Sequence, residues 1–177
     1  MDTYVLVHGA WHTGDLLREV ADSIEAEGHK VHTPTLAGNN PQDDKSVGLN
    51  DAIQSLISYF ETNDIKDCIL IGHSYGGMVI TGAFDKLGTE RIKRLVYWNA
   101  FVPNSGECLN DMVPPNYVGL FDAIAQEDVA LPASLPWHPR LSKKLGLYRL
   151  VSMPGSHESC FTNPTLLGKK MIEAGRD

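Results

Sequence analysis

A chain of 177 residues is the size of one domain around one core, and hydrophobic and charged fractions of 42% and 21% describe an ordinary globular protein. A formal net charge of −7 speaks against nucleic acid, whose phosphates need clustered Lys and Arg, and no basic amphipathic stretch suggests a membrane surface. Cys68, Cys108 and Cys160 are odd in number and widely spaced, which argues against a disulfide framework or a zinc site and fits a reducing cytoplasm.

The elements follow in chain order. "YVLVHG" (Tyr4–Gly9) is a short, nearly all-apolar run ended by glycine, as expected of a strand buried on both faces. Because "TYVLV" begins at Thr3, the N-terminus enters the fold at once and no signal peptide is expected. Leu16, Leu17, Val20, Ala21 and Ile24 recur at helical spacing, and Gly28 closes that element. "KVHTPTL" reads as a second strand and residues 41–48 as a polar loop. Leu49, Ala52, Ile53, Leu56, Ile57 and Phe60 mark one face of an amphipathic helix. "CILIG" is a third strand, Met78–Leu87 the helix after it, and "RLVYWNAFV" a fourth strand. Every apolar run is strand-sized, short of the roughly 20 residues that span a bilayer.

This alternation predicts an α/β fold, a mostly parallel sheet with helices on both faces. The pattern fails in the proline-rich stretch 103–139, which shows no long amphipathic helix. "YRLVSM" reads as a fifth strand, and Asn163-Pro164 offers a cap and a first-turn proline for a last helix through Leu166, Leu167 and Met171.

The chemistry centres on "LIGHSYGGMV". Gly72-His73-Ser74-Tyr75-Gly76 matches Gly-x-Ser-x-Gly where a strand meets a helix. So tight a turn leaves no room for side chains at the two glycines, and it holds the serine strained with its hydroxyl above the sheet. The helix opening there aims N–H groups and its positive dipole end at the same spot, which suits an oxyanion. A serine nucleophile needs a base that is itself oriented by an acid. Of seven histidines, His29 and His32 lie in helix or strand context, His8 and His12 flank the first turn, His73 packs inside the elbow, and His138 lies among the prolines. His157, in "MPGSHES" after the final predicted strand, belongs at the same carboxyl edge of a parallel sheet as Ser74. Two oxyanion donors are needed: Tyr75 N–H comes with the elbow, and Ala10 N–H is offered by "VHGAWH" after the first strand.

Taken together, "YVLVHGAWH", "GHKVHTPTLAG", "ILIGHSYGGMVI", "LVYWNAFVPNSGE", "EDVALPASLPW" and "YRLVSMPGSHESCFTNPTLL" resemble the α/β-hydrolase superfamily. More narrowly they resemble its branch of plant methyl-ester esterases and hydroxynitrile lyases with their bacterial relatives. The resemblance implies Ser74 as nucleophile, His157 as base, Ala10 and Tyr75 as oxyanion donors, and Asp128, followed by "VALP", as the acid. Other acids between elbow and histidine are Asp85, Glu90, Glu107, Asp111, Asp122 and Glu127, while Asn99 stands where some members carry theirs. Relatives are longer, with a helical cap and a strand leading into the acid. Here "LFDAIAQ" runs almost directly into "EDVALP", which implies a reduced fold over residues 1–177 without a cap, stretch 103–139 standing in its place. Either "YVGLFDAIA" replaces the missing strand or Asp128 hangs on a loop.

The expected function is a serine carboxylic-ester hydrolase on small acyl esters, with an open groove whose apolar walls include Trp11, Trp98, Phe101, Trp137 and Met153, with His73 beside the nucleophile. No metal and no cofactor is expected, and a homodimer could cover apolar surface left by a missing strand. Two alternatives stand: a cap-less relic that binds a ligand without turnover, and a hydroxynitrile lyase. Against the lyase, Gly9 and Glu158 occupy positions where those enzymes carry Thr and Lys.

Overall fold

The computed structural model describes residues 1–124, 143–145 and 147–176. Four parallel strands, β1 (Thr3–Val7), β2 (Lys30–His32), β3 (Cys68–His73) and β4 (Ile92–Trp98), form one sheet in the order β2-β1-β3-β4. The chain leaves β1 toward one side of the sheet and returns on the other at β3. The carboxyl ends of β1 and β3 therefore flank a topological switch point, where open α/β sheets form their crevice.

Side chains alternate across the two central strands and so divide between two cores. Val5, Val7 and Leu70 face α2 (Leu49–Thr62) and α3 (Gly76–Arg91), meeting Leu56, Phe60, Val79, Ile80 and Ala83. Tyr4, Leu6, Ile69 and Ile71 face α1 (Arg18–Glu25) and the last helix, meeting Val20, Ile24, Leu167 and Met171. Burial on both faces is why these strands read as unbroken apolar runs. The Asp51 carboxylate accepts the Gly48 N–H at 2.8 Å and caps α2. After β4 come α4 (Leu109–Met112) and α5 (Pro115–Ile124). The short α6 (Ser159–Thr162) precedes α7 (Pro164–Gly175), whose cap is the expected one: the Asn163 side chain accepts from Leu166 N–H.

Three expectations need correction. The second strand stops at His32, because Pro34 has no N–H to give a ladder and the chain beyond is held by side chains instead, with Thr35 Oγ1 accepting from Gly14 N–H at 2.9 Å. "YVGLFDAIA" is no strand: most of it lies in α5. "YRLVSM" forms no ladder either. Leu147, Tyr148 and Leu150 are exposed, and Arg149 instead donates to carbonyls at the end of α7, Ala174 O among them at 3.0 Å. A β-prone sequence becomes a strand only beside another strand, and among the described residues none lies along the outer side of β4.

Candidate active site

Ser74 follows the last residue of β3 and stands one residue before the cap of α3, with φ 52°, in the left-handed region that a side chain rarely occupies. The glycines around it are required by space. A Cβ on Gly72 would lie 2.7 Å from the Gly76 carbonyl oxygen, and one on Gly76 would lie 2.7 Å from the carbonyl oxygens of both Val7 and His8. The β1 turn is pressed just as closely against the serine: a Cβ on Gly9 would sit 3.0 Å from Ser74 Cβ. Ala10 continues this turn, and Tyr75 opens α3, where a first-turn N–H has no acceptor within the helix. The Ser74 carbonyl accepts N–H groups of Gly77 and Phe101, each at 3.0 Å, which clamps the elbow to the chain leaving β4.

His8, buried completely, fixes the β1 turn. Leu36 N–H donates to its Nε2 at 3.1 Å, so its proton is on Nδ1, which donates to the Gly9 carbonyl at 2.8 Å. Burial pushes its pKa down to about 4, and the ring is neutral at physiological pH.

His157 is brought to the elbow from 84 positions along the chain. His73 Nε2 donates to the His157 carbonyl at 3.0 Å, and the two rings lie 4.7 Å apart. His73 also stacks on Trp98 at 4.0 Å, and Trp98 Nε1 donates to Ser159 Oγ at 3.2 Å, just past His157. His157 is itself buried, at 6% exposure.

Among the apolar walls expected from sequence, Trp98 and Phe101 are buried, as is His73. Their neighbours explain it: Trp98 lies against the buried His73 ring, and Phe101 packs with Met78, Val102 and Met112. Trp11 is 56% exposed, and Phe161, 5.5 Å from the His12 ring, is 49% exposed. Asp128, Trp137 and His138 lie outside the described residues.

Glu158 was not foreseen as a member of the site. One oxygen lies 3.8 Å from His157 Nε2 and the other 3.7 Å from His12 Nε2. Burial pushes the Glu158 carboxyl up and His12 down, so each resists its charged form. The only signal in the sequence was adjacency to His157. His12, His73 and Glu158 each present one ligand-type atom, and the three atoms lie within 4.8 Å of one another. No helix among the described residues is long and apolar enough to cross a membrane.

A profile of the alpha/beta hydrolase family matches residues 4–168. A carbendazim hydrolyzing esterase of Nocardioides sp. (strain SG-4G) is 42% identical over 117 residues, 64% of this chain and 48% of that protein. An alpha-hydroxynitrile lyase of Arabidopsis thaliana is 34% identical over 109 residues, 58% of this chain and 41% of that protein. The chain thus spans about half the length, or less, of these relatives. A solved extracellular alpha/beta-hydrolase from a Paenibacillus species, described as sharing structural and functional homology with tobacco salicylic acid binding protein 2, superimposes with a TM-score of 0.89 at 27% identity, the match covering 100% of both chains. With its parallel sheet, its serine on a glycine-lined strand-to-helix turn and a matching profile over nearly its whole length, the chain belongs to the alpha/beta hydrolase family.

Proposed function

We propose that the protein is a serine carboxylic-ester hydrolase for small acyl esters. Ser74 Oγ attacks the ester carbonyl carbon while His157 takes its proton, and the Ala10 and Tyr75 N–H groups hold the oxyanion. Collapse of the tetrahedral intermediate expels the alcohol, which receives the proton from His157. Water, deprotonated by His157, then attacks the acyl-serine and releases the acid. Asp128 is the proposed acid that orients the imidazole. The observation that carries the reading is the placement of Ser74: φ 52° at the mouth of α3, with the β1 turn packed against its Cβ at Gly9. The similarity to an esterase supports the reaction class. Trp11, Phe161 and Met153 are proposed as walls of a groove without a helical lid, and a second copy as cover for the outer side of β4. Free Cys68, Cys108 and Cys160 fit a reducing cytoplasm.

The test is Ser74→Ala on short p-nitrophenyl esters, with an expected loss of at least about 10³-fold in kcat. An unchanged rate rejects the proposal. A second reading, a hydrolase relic that binds without turnover, draws on residues 148–153, which form no strand before the loop carrying His157 among the described residues. Labelling of Ser74 by a fluorophosphonate separates the two: a relic leaves the serine unlabelled.

A further inference from the structure

The geometry points to a binding site for one divalent transition cation, Zn²⁺ or Co²⁺ in character, held by His12, His73 and Glu158 beside His157. Three observations converge. Each of the three side chains offers an atom of the right type, two imidazole nitrogens and a carboxylate oxygen, mutually within 4.8 Å, and the His12 Nε2 to Glu158 Oε2 distance is 3.7 Å. A tetrahedral ion with bonds of about 2.0–2.2 Å holds its ligand atoms roughly 3.4 Å apart, so the set closes on a metal by small rotations of His12 and Glu158, both only partly buried.

The protonation pattern is the second observation. His73 spends its Nε2–H on the His157 carbonyl, so in the neutral ring Nδ1 carries the lone pair, the form a metal needs. That carbonyl is the outer-shell partner that fixes the tautomer of a ligating histidine. Third, His12 Nδ1 is buried without a hydrogen-bond partner among the described residues, and Nε2 is no closer than 3.7 Å to Glu158, so the ring packs beside a carboxylate without bonding to it. Two imidazoles and one carboxylate, with further positions open to water, suit Zn²⁺, Co²⁺ or Ni²⁺. Mg²⁺ and Ca²⁺ prefer sets made wholly of oxygen.

Occupancy would inhibit the proposed hydrolysis. Glu158 Oε1 is 3.8 Å from His157 Nε2, so a hydrated cation held by that carboxylate occupies the space beside the proposed base. The inhibition rests on the esterase reading; the binding does not.

The experiment is Co²⁺ titration of the full chain and of Ser74→Ala, read by visible absorption. One equivalent giving the intense band of four- or five-coordinate Co²⁺ in both proteins is the expected result. His12→Gln and Glu158→Gln, checked for folding by circular dichroism, should each weaken binding by at least the roughly 10–100-fold that loss of an outer-shell partner costs. His32→Gln, at a histidine bonded instead to Tyr59 at 3.1 Å, should leave the band intact. Absence of the band, or its survival in both His12→Gln and Glu158→Gln, overturns the site. In the activity arm, Zn²⁺ should lower ester hydrolysis by the wild type and lose that effect in His12→Gln. Binding with unchanged hydrolysis refutes the inhibition, and binding by a protein with no esterase activity would retain the site while rejecting the proposed function.

Discussion

At the scale of single residues, the site depends on side chains that are missing as much as on those present. Gly76 is the plainest case, because the atoms its Cβ would strike are the backbone carbonyls of Val7 and His8, which cannot turn aside. Gly76→Ala should therefore cost about 1–3 kcal/mol, the range for forcing a methyl into a packed interior, and should displace the serine as well. Urea denaturation measures the first effect and fluorophosphonate labelling the second; a variant that matches the wild type in both would show that the elbow is not sterically enforced. His8 supports the same turn from below through a fixed neutral tautomer. Its folded pKa of about 4 lies below the ordinary 6.5, so the unfolded chain binds the proton more readily. Its contribution is therefore fully present above pH 6.5 and fades as pH falls toward 4, by about 3 kcal/mol in all. Comparing unfolding free energies of the wild type and His8→Asn between pH 7 and 4 checks this. Parallel pH profiles would assign the slope to other groups.

Among the elements, the junction of α1 with α7 makes a sharp prediction. A Cβ on Gly168 would overlap Ser23 Oγ, whose hydroxyl is committed to the Val20 carbonyl at 2.7 Å. Gly168→Ala should destabilise by about 1–3 kcal/mol, and Ser23→Ala in the same chain should recover most of the loss, a coupling that thermal melts of the four proteins resolve. The sequence announced such elements wherever local chemistry was sufficient. β1 and β3 were visible as apolar runs because both faces are buried, α2 through the spacing from Leu49 to Phe60, and the start of α7 through Asn163-Pro164. Ser74 was visible for the same reason, since two glycines and a serine determine that turn by themselves. What needed distant partners was hidden. Residues 148–153 look like a strand but lie outside the four-stranded sheet that the described residues form. Trp98 and Phe101 are buried against neighbours, His73 for one and Met78 and Met112 for the other, that local spacing does not name. His12 and Glu158 meet only because the β1 turn and the loop before α6 are folded onto one edge.

For the whole molecule, net charge and topology matter together. An isoelectric point near 5.4 falls inside the window in which His8 loses its contribution, so acidification removes mutual repulsion while the β1 turn weakens. Light scattering against pH should show the highest aggregation near that value, with a steeper rise below pH 6.5 in the wild type than in His8→Asn. The hydrogen bond from His73 to the carbonyl of residue 157 has a further consequence, because it joins positions 84 apart. During synthesis on the ribosome, β1, β3 and the elbow emerge long before their imidazole does. A nascent chain arrested short of His157 would hold the serine on its perch without the proposed base beside it, and the proposed hydrolysis would begin late in translation, in a single step.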